Sequence, residues 1–120
     1  MQKTIRRDEV YISILYILHS QPVGDFYDQL RSLVSSYKIH ILLGDFNIEY
    51  FVANDVLDEV LSNYTMVVSE PTHIDGSLLD HVYVRNGLIR DFDVASLVKC
   101  VFFSDHDAVK IKISNFLSCL

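Results

Sequence analysis

The order of short apolar segments along the chain most limits the folds open to it. Residues 10–16 are dense in β-branched and aromatic side chains, which predicts a central strand covered on both faces. A helix is expected to start at Asp25, a residue type that caps helices. Its apolar residues recur at helical spacing and form one stripe, made of Phe26, Leu30, Leu33 and Tyr37. Residues 39–43 predict a second apolar strand, and Gly44 follows where the chain turns.

After this strand the pattern predicts a shorter helix and then mostly strands. Asn54 and Asp55 start the helix. The apolar face of that helix comprises Val56, Leu57, Val60 and Leu61. Strands are expected at 64–68, at 78–84 and within 94–103. The Asn86-Gly87 pair predicts a tight turn between the last two of these strands.

The last strand alternates apolar and charged residues, so one of its faces should meet water. Val109, Ile111 and Ile113 occupy one face, and Lys110 and Lys112 occupy the other. The order of elements predicts an α/β fold of the α+β kind, with one mixed β-sheet and its helices on one face. The other face of that sheet then lacks a cover, and a second layer is expected to be largely missing.

Composition fits a single domain over residues 1–120. Half of the residues are hydrophobic, which is ample for a core. The formal net charge of −6 argues against a broad basic face that grips nucleic acid, but it is compatible with an acidic site that binds a cation. Cys100 and Cys119 are too few and too unpatterned to predict a disulfide framework or a zinc site.

The N-terminal segment shares one trait with secretory signals, because Lys3, Arg6 and Arg7 precede the apolar run 10–18. Two acidic residues stand directly before that run, and no small-residue cleavage site follows it. The run is also shorter than the roughly 20 apolar residues that cross a bilayer. A buried strand is the better interpretation, and the chain is expected to be intracellular, with no membrane partner.

Three short polar clusters interrupt the apolar strands at their ends. They occupy residues 44–47, 77–81 and 104–107. Each cluster alone is a weak signal, since a Gly-Asp turn or an Asp-His pair is common in loops. Binding and catalytic residues are nevertheless concentrated in loops that a rigid sheet positions, so together they mark the candidate site.

Together the clusters resemble the motifs of the endonuclease/exonuclease/phosphatase superfamily, which includes abasic-site endonucleases, deoxyribonuclease I, inositol-phosphate phosphatases and endonucleases of mobile elements. Residues 42–47 match its apolar-Gly-Asp-Phe/Leu-Asn motif, Pro71-Thr72 and 77–84 match its Thr and Leu-Asp-His strand, and 104–109 match its closing Ser-Asp-His motif. The resemblance covers about residues 10–113. The sequence of residues 72–82 resembles the mobile-element endonucleases more than the housekeeping repair enzymes.

The resemblance implies a hydrolytic site for phosphodiesters. Asp45 would orient or deprotonate the attacking water, and Asn47 would hydrogen-bond the phosphate through its amide. His106 would donate to a phosphoryl oxygen, which requires its imidazolium form. Asp80 would be the carboxylate partner that raises the His106 pKa and favours that form.

The resemblance also implies a cation and two further contacts. Asp105 would contribute to a Mg²⁺ or Mn²⁺ site, for which oxygen ligands are suited. Thr72 would support the site or contact the substrate. Tyr16 stands where the family places a phosphate-contacting Tyr, but Leu18 and His19 depart from the family's pattern, and a core tyrosine is the alternative.

Part of the family's domain has no counterpart in these 120 residues. The family's N-terminal half carries a metal-ligating Glu, and Glu9, Glu49 and Glu59 do not fit its position. The resemblance therefore predicts an N-terminally truncated, partial four-layer α/β sandwich with its second sheet largely missing. We expect low or no catalysis from this chain alone. A complementing N-terminal half or a larger polyprotein would complete the domain.

The leading hypothesis is a metal-dependent nucleic-acid endonuclease of retrotransposon or transposon type, with DNA as substrate and a nuclear location. The alternatives are a phosphatase or phospholipase of the same superfamily, and a non-catalytic remnant that keeps the fold. His40 is expected to face outward from its strand and His73 to lie in a turn, both with structural or solvated roles. His81 should point to the strand face opposite Asp80, and no role is assigned to it.

Overall fold

The computed structural model describes residues 10–17, 22–36, 39–101 and 104–115, including the side chains of all but residues 36 and 115. The elements in chain order are β1 (Ile12–Tyr16), α1 (Val23–Ser36), β2 (Ile41–Asp45), α2 (Asp55–Val60), β3 (Tyr64–Met66), β4 (Asp80–Arg85), α3 (Asn86–Asp91), β5 (Phe92–Lys99) and β6 (Ala108–Asn115). Within these ranges no helix is both long and apolar enough to cross a membrane.

The strands form two sheets. The larger has the order β1-β2-β4-β3, with β1 parallel to β2 and with β4 antiparallel to both of its neighbours. The smaller is the antiparallel pair β5-β6. The fold is therefore mixed α+β, with a four-stranded mixed sheet and a second sheet of two strands, which confirms the predicted fold class.

One face of the larger sheet carries α1 and α2. Phe26 and Leu30 of α1 and Leu57 of α2 form one core cluster with Leu42 of β2 and Tyr83 of β4. Burying each large apolar side chain of this kind contributes about 1.5–3 kcal/mol. The two helices are therefore fixed on this face, as the apolar stripes of the sequence predict.

The helix starts are set by local hydrogen bonds. The Asn54 side chain accepts a hydrogen bond from the Leu57 N–H at 3.0 Å, so α2 is capped as predicted. The first helix starts at Val23, two residues before the predicted cap, and Asp25 lies within its first turn. Tyr37, the last residue of the predicted stripe, lies outside the described residues.

The other face of the larger sheet is partly covered by β5 and β6. Val94 and Val98 of β5 and Val109 of β6 pack against the cluster that contains Ile41 and Val82. The second layer is thus present as two strands. Lys110 and Lys112 point outward as predicted, while Ile113 is exposed beyond the edge of the covered area.

The prediction of a central position for β1 is wrong. In the described residues β1 pairs only with β2 and lies at the sheet edge. Ile14 is 77% exposed and Tyr16 62% exposed. Their register partners Leu43 and Asp45 lie on the face where β5 and β6 pack, but that cover centres on β2 and β4. Apolar composition indicated a strand correctly but could not reveal its neighbours.

Two other expectations are corrected around α3. Asn86 and Gly87 do not form a hairpin turn but start α3, because Leu88 is buried in the core cluster and the segment packs as a helix. The following strand is Phe92–Lys99, earlier than the predicted 94–103, of which residues 102 and 103 lie outside the described part of the chain. Of the predicted strand 64–68, only Tyr64–Met66 is regular.

Candidate active site

Two carboxylates stand side by side where β2 ends and β4 begins. The antiparallel register pairs Asp45 with Asp80. Paired residues point to the same face of a sheet, so both side chains lie on the face that β5 and β6 partly cover. Both are half-buried, with 27% and 22% of the side chains exposed.

The turn after β2 orients Asp45. The Asn47 N–H donates to Asp45 Oδ1 at 2.9 Å, and Asn47 has a φ of 51°, a left-handed conformation that Asn tolerates. Between them Phe46 is fully buried, and its N–H donates to the Leu79 carbonyl at 3.0 Å. The buried ring and the turn together hold the Asp45 carboxylate and the exposed Asn47 beside each other.

Gly44 is required in this arrangement by the close approach of β1. A Cβ added at Gly44 would lie 1.8 Å from the Leu15 carbonyl oxygen, and the φ of Gly44 is +149°. Only glycine adopts this backbone without strain at such a separation. The Gly44-Asp45 pair thus joins the site directly to the edge strand.

Thr72 fixes the start of β4 by hydrogen bonds to its backbone. Its Oγ1 accepts hydrogen bonds from the backbone N–H groups of Leu79 and Asp80 at 3.2 and 3.1 Å, and its carbonyl accepts one from the Asp107 N–H at 2.6 Å. The Thr72 side chain is fully buried. It therefore supports two loops of the site and does not reach the surface where a substrate would lie.

His106 lies between the two carboxylates. Its Nδ1 is 2.7 Å from Asp80 Oδ2, a short hydrogen bond, and its Nε2 is 3.7 Å from Asp45 Oδ2. The hydrogen bond to Asp80 raises the His106 pKa, with the charges of Asp45 and Asp105 acting in the same direction and burial opposing them. The Ser104 hydroxyl oxygen accepts from the His106 N–H at 3.1 Å and fixes the loop.

Asp105 and His73 extend the site on its outer side. Asp105, whose side chain is 66% exposed, has its Oδ2 3.5 Å from His73 Nε2. The His73 and His106 rings meet edge to face, with centroids 4.9 Å apart, and the two residues form a backbone bridge. The expectation of a solvated or purely structural His73 missed this position. Its adjacency to Thr72 in one motif was the signal that could have revealed it.

Tyr16 reaches the same end of the sheet. It is the register partner of Asp45 across the parallel β1-β2 pair, so its side chain lies on the same face. Tyr16 is 62% exposed, so it is not part of the core that the described residues form. An open cleft of about 220 Å³ runs beside the carboxylates, lined in part by Gly44, Asp107 and Val109.

Among the residues that the structure describes, two groups of acidic and histidine side chains have the spacing to hold a metal ion. One comprises Asp45, Asp80 and His106, and the other comprises His73, Asp105 and His106, with ligand atoms within 4.8 Å of one another in each group. The carboxylate oxygens fit the preference of Mg²⁺ for hard ligands. Asp105, the predicted metal ligand, belongs to the second group and not to the carboxylate pair.

The remaining glutamate and histidines near the motifs have structural contacts. Glu49 accepts hydrogen bonds from the N–H groups of Phe51 and Leu78, at 2.9 and 3.1 Å, and so fastens a loop. His81 lies on the opposite face from Asp80, as predicted, and is fully buried. His40 is also buried, with Nδ1 accepting from the Tyr11 N–H at 3.0 Å, so the expectation that it faces outward is wrong.

Comparison with known proteins adds one finding. No protein-family model matches the sequence, and no curated protein matches it significantly. Among solved structures, the chain is similar to the endonuclease domain of TRAS1, a telomere-specific non-LTR retrotransposon, with a TM-score of 0.65 and 17% identity. The match covers 83% of this chain and 54% of that one, so the chain spans about half the length of its structural neighbour. The described residues thus share the fold of a retrotransposon endonuclease domain.

Proposed function

We propose that this chain is the C-terminal half of a metal-dependent endonuclease domain that hydrolyses DNA phosphodiesters, of the kind encoded by mobile elements. The observation that carries the proposal is the placement of His106 between Asp45 and Asp80, 2.7 Å from one carboxylate and 3.7 Å from the other. The likeness to a retrotransposon endonuclease domain supports it independently.

The residues divide the work of hydrolysis between two sides of the phosphate. Asp45 accepts a proton from the attacking water, since its carboxylate is half-buried and held by the turn at Asn47. His106 donates through Nε2 to a phosphoryl oxygen. The Asp80 hydrogen bond to Nδ1 holds the ring in place and favours the imidazolium form. Asn47, exposed at the turn, hydrogen-bonds the phosphate through its amide. Tyr16 hydrogen-bonds it through its hydroxyl.

A divalent cation, Mg²⁺ or Mn²⁺, would be held by the carboxylates of Asp45 and Asp80, with Asp105 contributing from the adjacent group. When bound, it supplies positive charge beside the phosphoryl oxygens. Mg²⁺ binds proteins through one or two carboxylates together with substrate phosphate, so the residues present fit such an ion. Its affinity for this half alone is expected to be low.

We further propose that the remaining ligands come from chain outside these 120 residues, either an N-terminal half or a larger polyprotein. The structural neighbour is about twice as long, and β1 presents an apolar edge at which a sheet can continue. Activity of this chain alone should therefore be slow.

The test is a nicking assay with the chain in excess over DNA, which detects slow turnover. Supercoiled plasmid and an abasic-site duplex are incubated with Mg²⁺ or with EDTA. We expect Mg²⁺-dependent nicking that falls at least about 100-fold in Asp45→Asn and in His106→Ala. Asp93→Asn is the matched control, because Asp93 is exposed on the outer face of β5. It should leave the rate unchanged.

A folded chain that does not nick DNA even in excess would reject catalysis by this chain alone, and would leave a non-catalytic remnant or half of an enzyme that needs its N-terminal half. Release of inorganic phosphate from an inositol phosphate, without nicking, would identify a phosphatase of similar fold.

A further inference from the structure

We propose a second cation site, formed by His73, Asp105 and His106, that takes a zinc-class ion in preference to Mg²⁺. One nitrogen or oxygen of each side chain lies within 4.8 Å of the others. Two imidazoles and one carboxylate are a donor set for Zn²⁺ and related transition ions, whereas Mg²⁺ favours oxygen ligands.

The backbone builds this site in advance. His73 and His106 are joined by a β-bridge, and the Ile74 N–H donates to the Asp105 carbonyl at 2.8 Å. The Asp107 N–H donates to the Thr72 carbonyl at 2.6 Å. These contacts hold the two ligand-bearing loops in register, so little chain entropy is lost when an ion binds.

The separation of His73 and Asp105 is close to that around a tetrahedral ion. Two ligands that each lie about 2.0–2.1 Å from a tetrahedral Zn²⁺ are separated by roughly 3.3–3.4 Å. His73 Nε2 and Asp105 Oδ2 are 3.5 Å apart. That is longer than an ordinary N–H to oxygen hydrogen bond of about 2.7–3.2 Å. A small contraction around an ion would satisfy both atoms.

Carboxylates behind the two rings complete the pattern. His106 Nδ1 lies 2.7 Å from Asp80 Oδ2, and His73 Nδ1 lies 3.0 Å from Asp75 Oδ1. The Asp75 backbone N–H donates to His73 Nδ1 at 3.2 Å, a hydrogen bond that is given up when Nδ1 carries the proton. Coordination through both Nε2 atoms leaves the protons on Nδ1, where the carboxylates accept them. Metal-bound histidines almost always have such an outer partner.

A bound ion would occupy His106 Nε2, the donor that the proposed hydrolysis needs. Zinc-class ions are therefore expected to inhibit an endonuclease built on this site. The binding itself does not depend on the proposed function, and it is measured without DNA.

The experiment uses Zn²⁺ alone, titrated calorimetrically into the tag-free chain in millimolar Mg²⁺, with Co²⁺ absorption as a second readout. The protein carries Cys100→Ser and Cys119→Ser, because cysteine thiols are competing zinc ligands. We expect one Zn²⁺ per chain, with binding weakened at least tenfold in His73→Gln and in Asp105→Asn. Asp93→Asn is the control and should bind as the parent does.

Asp105→Asn guards against misfolding, since the Asp105 side chain is 66% exposed and we expect its replacement to leave the fold intact. Unchanged zinc affinity in both variants would overturn the proposal, because the ion would then bind elsewhere. Displacement of Zn²⁺ by millimolar Mg²⁺ would also overturn it.

Discussion

The two faces of β4 place the histidines of two similar sequence motifs in different environments. Asp80-His81 and Asp105-His106 are both Asp-His pairs; His81 belongs to β4, and His106 is hydrogen-bonded to Asp80 of that strand. His81 is fully buried on the helix-covered face, stacked on Phe46 with ring centroids 4.7 Å apart. His106 is about one-third exposed on the other face and hydrogen-bonded to Asp80.

The two environments shift the pKa values of His81 and His106 in opposite directions. Burial lowers the His81 pKa, although the Ile48 and Leu78 carbonyls at 2.8 and 3.1 Å partly offset it. The Asp80 hydrogen bond raises the His106 pKa. Burial on one face therefore favours the neutral form of His81, and the Asp80 hydrogen bond on the other face favours the charged form of His106. Strand alternation places Asp80 and His81 on opposite faces of β4, so Asp80 faces His106 and His81 faces the helices.

Removal of His81 should produce the largest effect. His81→Ala leaves a cavity beside Phe46 and removes the hydrogen-bond partner of the Ile48 and Leu78 carbonyls, so we expect a loss of about 3 kcal/mol in the free energy of unfolding. Urea unfolding followed by circular dichroism measures it. His106→Ala should cost about 1 kcal/mol or less. Equal losses for the two variants would refute the division between a packing face and a working face.

Asp80→Asn should come next. It replaces a charge-assisted hydrogen bond by a neutral one, so we expect a loss of about 1 kcal/mol in stability at pH 6. The His106 pKa should fall towards its ordinary value, as read from the ring proton shifts in an NMR titration. The His81 pKa should change little, because burial is its main cause. A His106 pKa that stays raised would show that Asp80 is not its source.

The pH dependence of stability should then show two opposite slopes. His106 has its pKa raised on folding, so its contribution is complete below the unfolded value of about 6.5 and is lost as pH rises through the folded pKa. His81 has its pKa lowered, so stability is lost as pH falls below about 6.5. Denaturation midpoints between pH 5 and 8 measure both slopes. His106→Gln should flatten the alkaline slope alone, and an unchanged slope would contradict the assignment.

Ser104→Ala should have the smallest effect. Ser104 is exposed, and the variant loses only the hydrogen bond that the Ser104 hydroxyl accepts from the His106 N–H. We therefore expect a loss of about 0.5 kcal/mol in the free energy of unfolding. The nicking rate should fall by more than the small loss of stability explains, because the loop that positions the His106 ring becomes less rigid. Identical nicking in the variant and in the parent would remove Ser104 from the positioning network.

Much of this site could be predicted from the sequence because each polar cluster directly follows or precedes an apolar strand. Asp45 ends β2 and Asp80 starts β4, and pairing of those strands brings the carboxylates together. His73 could not be predicted in the same way. A turn residue has no periodicity, and its place depends on a bridge to His106, 33 residues away along the chain.

The position of β1 could not be predicted for a related reason. The composition of residues 10–16 indicates burial on both faces, which holds only if further chain covers the strand. The start of α3 at Asn86 could not be predicted either, because an Asn-Gly pair favours a turn locally and only the burial of Leu88 favours the helix. In both cases tertiary packing overrides a local signal.

The exposed edge strand also bears on how the purified chain behaves in solution. Ile12, Ile14 and Tyr16 present a row of apolar side chains beside backbone groups at the margin of the sheet. Edges of this kind act as templates for pairing with other strands, and they lower colloidal stability. Handling at low concentration, with sedimentation checks before any assay, therefore follows directly from the architecture of β1.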